Sequence, residues 1–199
     1  MYSQTEWLRT ENNNTKNIHT LVLSGGAYLG LYELGVLHYI FNNKKTYIDI
    51  DNIKKIYGVS IGSFIGLLIC ISKISKEDTL TTFNLICDYI LERPWDKLFS
   101  NKENTILHKI TNLFEKKGFF TIDVFKEALQ PIFKLADLDV NESFTIEDMY
   151  AKSKIELHSI VMNAKNMKTD KLNWHTQPKL QILESVYMSC SLPIIFAPI

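Results

Sequence analysis

The chain has 199 residues, 46% hydrophobic and 12% aromatic, with 22 basic and 22 acidic side chains that cancel to a formal net charge of zero. That is enough apolar material for one domain with a sizeable core, which excludes general disorder. The zero balance excludes bulk-charge attraction to nucleic acid or to an anionic membrane, so any lipid partner has to be recognised by a local apolar surface.

Residues 1–17 are polar, with three consecutive asparagines, and read as a flexible arm without the apolar stretch of a secretory signal. Residues 19–23 (HTLVL) are a short buried strand that stops at Ser24-Gly25-Gly26. From Leu31 apolar residues recur at helical spacing up to Asn42-Asn43. Residues 53–57 predict a second strand and 61–74 a strongly apolar helix, with Gly58-Val59-Ser60-Ile61-Gly62 at the joint. Two consecutive strand-turn-helix units imply an α/β fold with a mainly parallel sheet.

The middle third, residues 76–138, carries helical periodicity over 76–91, 104–116 and 121–135 and forms a helical lid or side layer. Residues 155–163 alternate as a strand, 171–175 are its hairpin partner, and 181–190 predict a helix ending before Ser191-Leu192-Pro193. The longest apolar run, 64–71, is far short of the ~20 residues a membrane-spanning helix needs. Cys70, Cys87 and Cys190 have no metal-binding spacing, support no disulfide framework, and read as small buried hydrophobes in a reducing compartment.

Two segments carry chemistry. A serine between glycines at a strand-helix joint suits a nucleophile elbow: a sharp turn lifts the Ser60 hydroxyl clear of the sheet, and Gly58 and Gly62 let neighbouring backbone pass. The following helix aims its free N–H groups at the place where an oxyanion forms. The plainer reading is a small-residue turn that packs a helix on a sheet. The second segment, Ser24-Gly25-Gly26-Ala27-Tyr28-Leu29-Gly30, exposes backbone N–H groups suited to an oxyanion or phosphate, or is a glycine-rich turn with no ligand. Both lie at the C-terminal ends of consecutive predicted strands, the edge where open α/β sheets place their sites.

These segments resemble the patatin-like phospholipases, lipid acyl hydrolases with a three-layer αβα fold. Ser24-Gly25-Gly26 with Gly30 is similar to that family's oxyanion loop, and residues 57–62 to its elbow. Residues 144–150 before a strand, and 185–198 with Ser-Cys ahead of a Pro-x-x-Phe turn, agree as well, so the resemblance covers roughly 21–199. It implies a patatin-like domain over 18–199, a Ser60 nucleophile, an oxyanion hole at Gly25, Gly26 and Ala27, no metal or organic cofactor, and a phospholipid or other acyl-ester lipid as substrate. Peripheral membrane contact, a cytoplasmic or membrane-surface location and no nucleic-acid partner go with it.

Two departures stand out. Ala27 and Leu29 occupy positions where the family carries a third glycine and a basic residue. The family's catalytic aspartate belongs to an Asp-Gly-Gly/Ala motif, and none of the eight glycines here follows an aspartate. The expectation is a dyad whose aspartate lies beyond Ile199, with a non-catalytic lipid- or protein-binding module as the alternative. His38 and His158 are the histidines to watch as substitute bases. The aromatics Trp95, Phe99, Phe114, Phe119, Phe120 and Phe125 are read first as the helical subdomain's own core, and second as a lid or acyl-chain surface.

Overall fold

A computed structural model of the chain describes residues 18–43, 48–93, 118–138, 144–163, 165–192 and 194–196. The predicted arm over 1–17 and the predicted helix over 104–116 lie outside the described residues.

Strand β1 (Thr20–Leu23) leads through a 3-10 turn (Ala27–Leu29) into α1 (Gly30–Asn42). Strand β2 (Lys55–Val59) follows and runs into α2 (Ile61–Ile74), then α3 (Thr79–Glu92). After β3 (Gly118–Phe120) come α4 (Ile122–Leu135) and α5 (Ile146–Ser153), then the hairpin β4 (Glu156–Asn163) and β5 (Lys168–Leu172). Helix α6 (Ile182–Cys190) and β6 (Ile194–Phe196) complete the order.

The main sheet runs β1-β2-β4-β5, with β1, β2 and β4 parallel and β5 antiparallel at the edge, while β3 and β6 form a separate parallel pair. This is the α/β class with a mainly parallel sheet that the two strand-turn-helix units predict.

Helix α2 sits at the centre. Its residues Leu67, Leu68, Ile69, Cys70 and Ile71 are fully buried, and it packs on β1, β2 and β4 with α3, α5 and α6 around it. A helix apolar on all sides is stable in water only when its neighbours cover every side. A buried polar tie to the sheet is satisfied: Ser63 Oγ and Ser159 Oγ on β4 share a 2.7 Å hydrogen bond.

Several boundaries differ from the sequence reading for identifiable reasons. Strand β2 begins at Lys55 because Ile50–Asn52 form a 3-10 turn capped by the Asp49 carboxylate, which accepts from the Asp51 N–H. The hairpin partner is Lys168–Leu172 rather than 171–175. Its turn closes early, with Met167 left-handed (φ 57) and the Asn166 side-chain Oδ1 accepting from the Lys168 N–H at 3.0 Å. Residues 173–176 then form a turn held by Asn173 Oδ1, which accepts from the N–H groups of His175 and Thr176. Helix α5 is absent from the sequence reading, although Thr145 and Asp148 form a reciprocal capping box at its start. Among the described residues no helix is long and apolar enough to cross a membrane.

Candidate active site

Ser60 occupies the single-residue joint between β2 and α2 with φ 53 and ψ −123, a backbone region that L-residues avoid. The chain tolerates this turn because its neighbours have no side chain to collide. A Cβ on Gly58 would stand 2.5 Å from the Ser63 N and Cα, and one on Gly62 would stand 2.5 Å from the Leu23 carbonyl oxygen. The turn is also pinned. The Ser60 N–H donates to Ser189 Oγ at 2.9 Å, and that hydroxyl donates to the Ile160 carbonyl at 2.7 Å, linking α6 and β4 to the joint. The Ser60 carbonyl accepts from the N–H groups of Ser63 and Phe64 and so opens α2.

The glycine loop lies directly against this joint. A Cβ built on Gly25 would be 3.5 Å from Ser60 Cβ and 3.4 Å from Val59 Cγ1. Gly26 precedes the 3-10 turn and accepts at its carbonyl from the Leu29 N–H at 2.9 Å, and Ala27 takes a positive φ of 48. The Ser24 N–H donates to Glu33 Oε1 at 3.0 Å, which ties the loop to α1. Gly25, Gly26, Ala27, Gly58, Ser60 and Gly62 thus come together within one small region, where two strand ends meet two helix starts.

Ser60 forms part of the wall of a cavity of about 520 Å³. Ala27, Tyr28 and Leu31 line it on the loop side, Ile61, Phe64 and Ile90 come from α2 and α3, and Val124, Phe125, Ala128 and Leu129 from α4. Cys190 and Leu192 complete the lining. Burial pushes the Cys190 thiol up to about 12, against the opposing effect of its hydrogen bond with the Ser60 side chain, so the sulfur beside Ser60 is a neutral thiol at physiological pH. No aspartate, glutamate or histidine is among the described residues that line the cavity.

The two watched histidines stand elsewhere. His38 is on α1, away from the cavity lining. His158 on β4 stacks on Tyr57 with ring centroids 4.3 Å apart, between Asn173 Nδ2 at 3.1 Å and Glu156 Oε2 at 3.3 Å. Desolvation lowers its pKa, with Glu156 opposing, and the ring is held neutral.

Phe125 serves in two ways: it packs edge-on against Phe64 and Tyr187 and also forms cavity wall. Trp95, Phe99 and Phe114 lie outside the described residues. The sequence reading missed the Ser189 pin and the Cys190 contact with Ser60. The only cue to them was the Ser189-Cys190 pair at the end of a predicted helix.

The chain belongs to the patatin-like phospholipase family, whose family model matches residues 21–199. It is 31% identical over 192 residues to a probable lipid hydrolase of Invertebrate iridescent virus 6, covering 92% of this chain and 57% of that protein. It is 30% identical over 196 residues to an uncharacterised protein of Acanthamoeba polyphaga mimivirus, covering 95% of this chain and 58% of that protein. The chain therefore spans a little over half the length of these relatives. Triacylglycerol lipase 5 of Saccharomyces cerevisiae is 29% identical over 177 residues, 22% of its own length.

Among solved structures, VipD from Legionella pneumophila matches with a TM-score of 0.50 at 16% identity, over 90% of this chain and 43% of that one. The type III effector protein ExoU matches with a TM-score of 0.51 at 15% identity, over 87% of this chain and 39% of that one. Likeness at these identities speaks to the fold, which is the three-layer α/β arrangement of patatin-like proteins.

Proposed function

We propose that Ser60 is the nucleophile of an acyl-ester lipid hydrolase of the phospholipase A type. The observation that carries this reading is the placement of one strained serine in the wall of an apolar cavity, with a glycine loop against it. In the proposed reaction Ser60 Oγ attacks the acyl carbonyl and gives up its proton to a base. The tetrahedral oxyanion is stabilised by the N–H groups around Gly25, Gly26 and Ala27 and by the positive end of α2. The ester C–O bond then breaks, the alcohol leaves with the proton, and water releases the fatty acid from the acyl-serine. The acyl chain lies in the cavity, whose walls suit an alkyl chain and exclude water from the serine.

The base is assigned by the family resemblance to an aspartate outside the given residues. Leu29 in place of the family's basic residue favours, as a second reading, a binding module without turnover.

The test is hydrolysis of phosphatidylcholine and of p-nitrophenyl butyrate by the complete protein and its Ser60→Ala variant, with fluorophosphonate labelling in parallel. Loss of the nucleophile removes on the order of a thousandfold or more of the rate and abolishes labelling. Undiminished hydrolysis by Ser60→Ala overturns the assignment, and an inert, unlabelled wild type favours the binding module.

A further inference from the structure

Helix α1 is apolar on two opposite sides. Gly30, Leu34, Leu37 and Phe41 are buried against the rest of the fold, as an amphipathic helix requires. The outer side carries Tyr32, Val36 and Tyr39, continued one turn back by Tyr28, with exposures of 73%, 56%, 66% and 76%. Spaced at three and four residues, these four form one stripe about 17 Å long. The only charged residue of α1, Glu33, is engaged by the Ser24 N–H. A solvated helix face normally carries charge, so this one is built for a partner.

The chemistry of the stripe selects that partner. Three of its four members are tyrosines, whose apolar rings and polar hydroxyls suit the boundary between hydrocarbon and headgroups. The stripe is continuous with the cavity: Tyr28 and, beside it, Leu31 belong to both. An alkyl chain leaving a bilayer at this face enters the cavity without crossing water. Helix α1 itself has no lysine or arginine, so the stripe offers anionic headgroups no positive charge of its own.

We infer that the outer face of α1, from Tyr28 to Tyr39, is the surface by which the protein sits on a zwitterionic phospholipid bilayer and admits an acyl chain to the Ser60 cavity. The inference rests on reading that cavity as the acyl site and deepens it by assigning the docking element.

Flotation with phosphatidylcholine vesicles tests it, using the complete protein carrying Ser60→Ala so that the lipid survives. This protein floats with the vesicles, and adding Tyr32→Glu with Tyr39→Glu lowers the bound fraction at least about tenfold, since partition follows the apolar area inserted. Tyr32→Ser with Tyr39→Ser gives a loss in the same direction without added charge. Replacing a fifth of the lipid by phosphatidylserine changes binding by less than about twofold. In the Ser60 background, both tyrosine pairs leave p-nitrophenyl butyrate hydrolysis at the wild-type rate and reduce hydrolysis of vesicle lipid.

Absence of flotation, or flotation indifferent to both tyrosine pairs, overturns the inference. So does a dimer on size exclusion that the tyrosine substitutions convert to monomer, because a second copy then covers the face. A butyrate ester hydrolysed without Ser60 overturns the enzymatic reading while leaving the flotation result to stand by itself.

Discussion

Replacing Gly62 by alanine puts a methyl group 2.5 Å from the Leu23 carbonyl oxygen and 2.8 Å from that of Ser24. Ordinary contact begins at 3.4 Å, so the end of β1 has to retreat by about 0.9 Å; β1 is a half-exposed edge strand rather than the buried one its sequence predicts, but Leu23 is buried and paired with β2, and such backbone does not yield as a side-chain tip does. Overpacking of this kind costs about 1–3 kcal/mol, a fall in melting temperature of about 3–10 °C for a chain of this size. The displaced segment runs directly into Gly25, so the donors beside Ser60 move with it. A shift near 1 Å at a reacting centre removes on the order of a hundredfold in rate.

Gly35→Ala is the matched control. It lies inside α1 with nothing within 4 Å of the added carbon, so the same substitution stabilises by about 0.5–1 kcal/mol and leaves the rate unchanged. Thermal melts and ester hydrolysis on both variants read the two effects separately. A Gly62→Ala protein that melts and turns over like wild type refutes the argument, as does destabilisation by Gly35→Ala.

Ser189→Ala leaves the Ser60 N–H and the Ile160 carbonyl without their shared partner, costs about 1–3 kcal/mol in chemical denaturation, and lowers kcat more than it raises KM. For His158, the Asn173 amide is oriented by its carbonyl accepting from His175 and Thr176, so its NH2 donates to Nδ1 and the neutral ring is required. Its folded pKa lies below the ordinary 6.5, so its contribution is intact above that pH and drains away as pH falls towards the folded value. Urea titrations across pH 5–7 show the slope, and His158→Gln removes it. Thr145→Ala breaks the capping box of α5 and costs about 1 kcal/mol by thermal melt. The thiols of Cys70, Cys87 and Cys190 are buried with pKa values pushed up to about 12, so native protein at pH 8 reacts with a disulfide reagent only after denaturant is added.

What local pattern encodes was legible in the residues. The apolar run of α2 has the bounds its composition implies, and the β2-α2 joint falls at Ser60, between the glycines that permit it. What depends on partners distant in sequence was not. Strands β3 and β6 have three residues each and exist through mutual pairing. The Ser189 hydroxyl reaches Ser60 from 129 positions away, with no periodicity to announce it. The capping box at Thr145 and Asp148 is a different case: its signal is local but has Asp in place of the usual Glu or Gln, and the helix it opens is only eight residues long.

The backbone adds an argument that neither motif makes alone. Five non-glycine residues among those described have positive φ: Ala27, Ser60, Asp137, Lys154 and Met167. Lys154 caps the end of α5, Met167 turns the β4-β5 hairpin, and Asp137 follows α4, places where chain reversal explains the conformation. Ala27 and Ser60 instead lie on two separate loops that meet in the wall of one cavity. Strain of this sort costs about 1–3 kcal/mol per residue and persists only where packing over-determines it. Here the excluded Cβ positions at Gly58 and Gly62, the Ser189 pin and the Glu33 tie supply that determination. A turn whose sole purpose was to seat a helix on a sheet would not need strain on both sides of a cavity, and this supports the proposed catalytic reading of Ser60 over the plainer one.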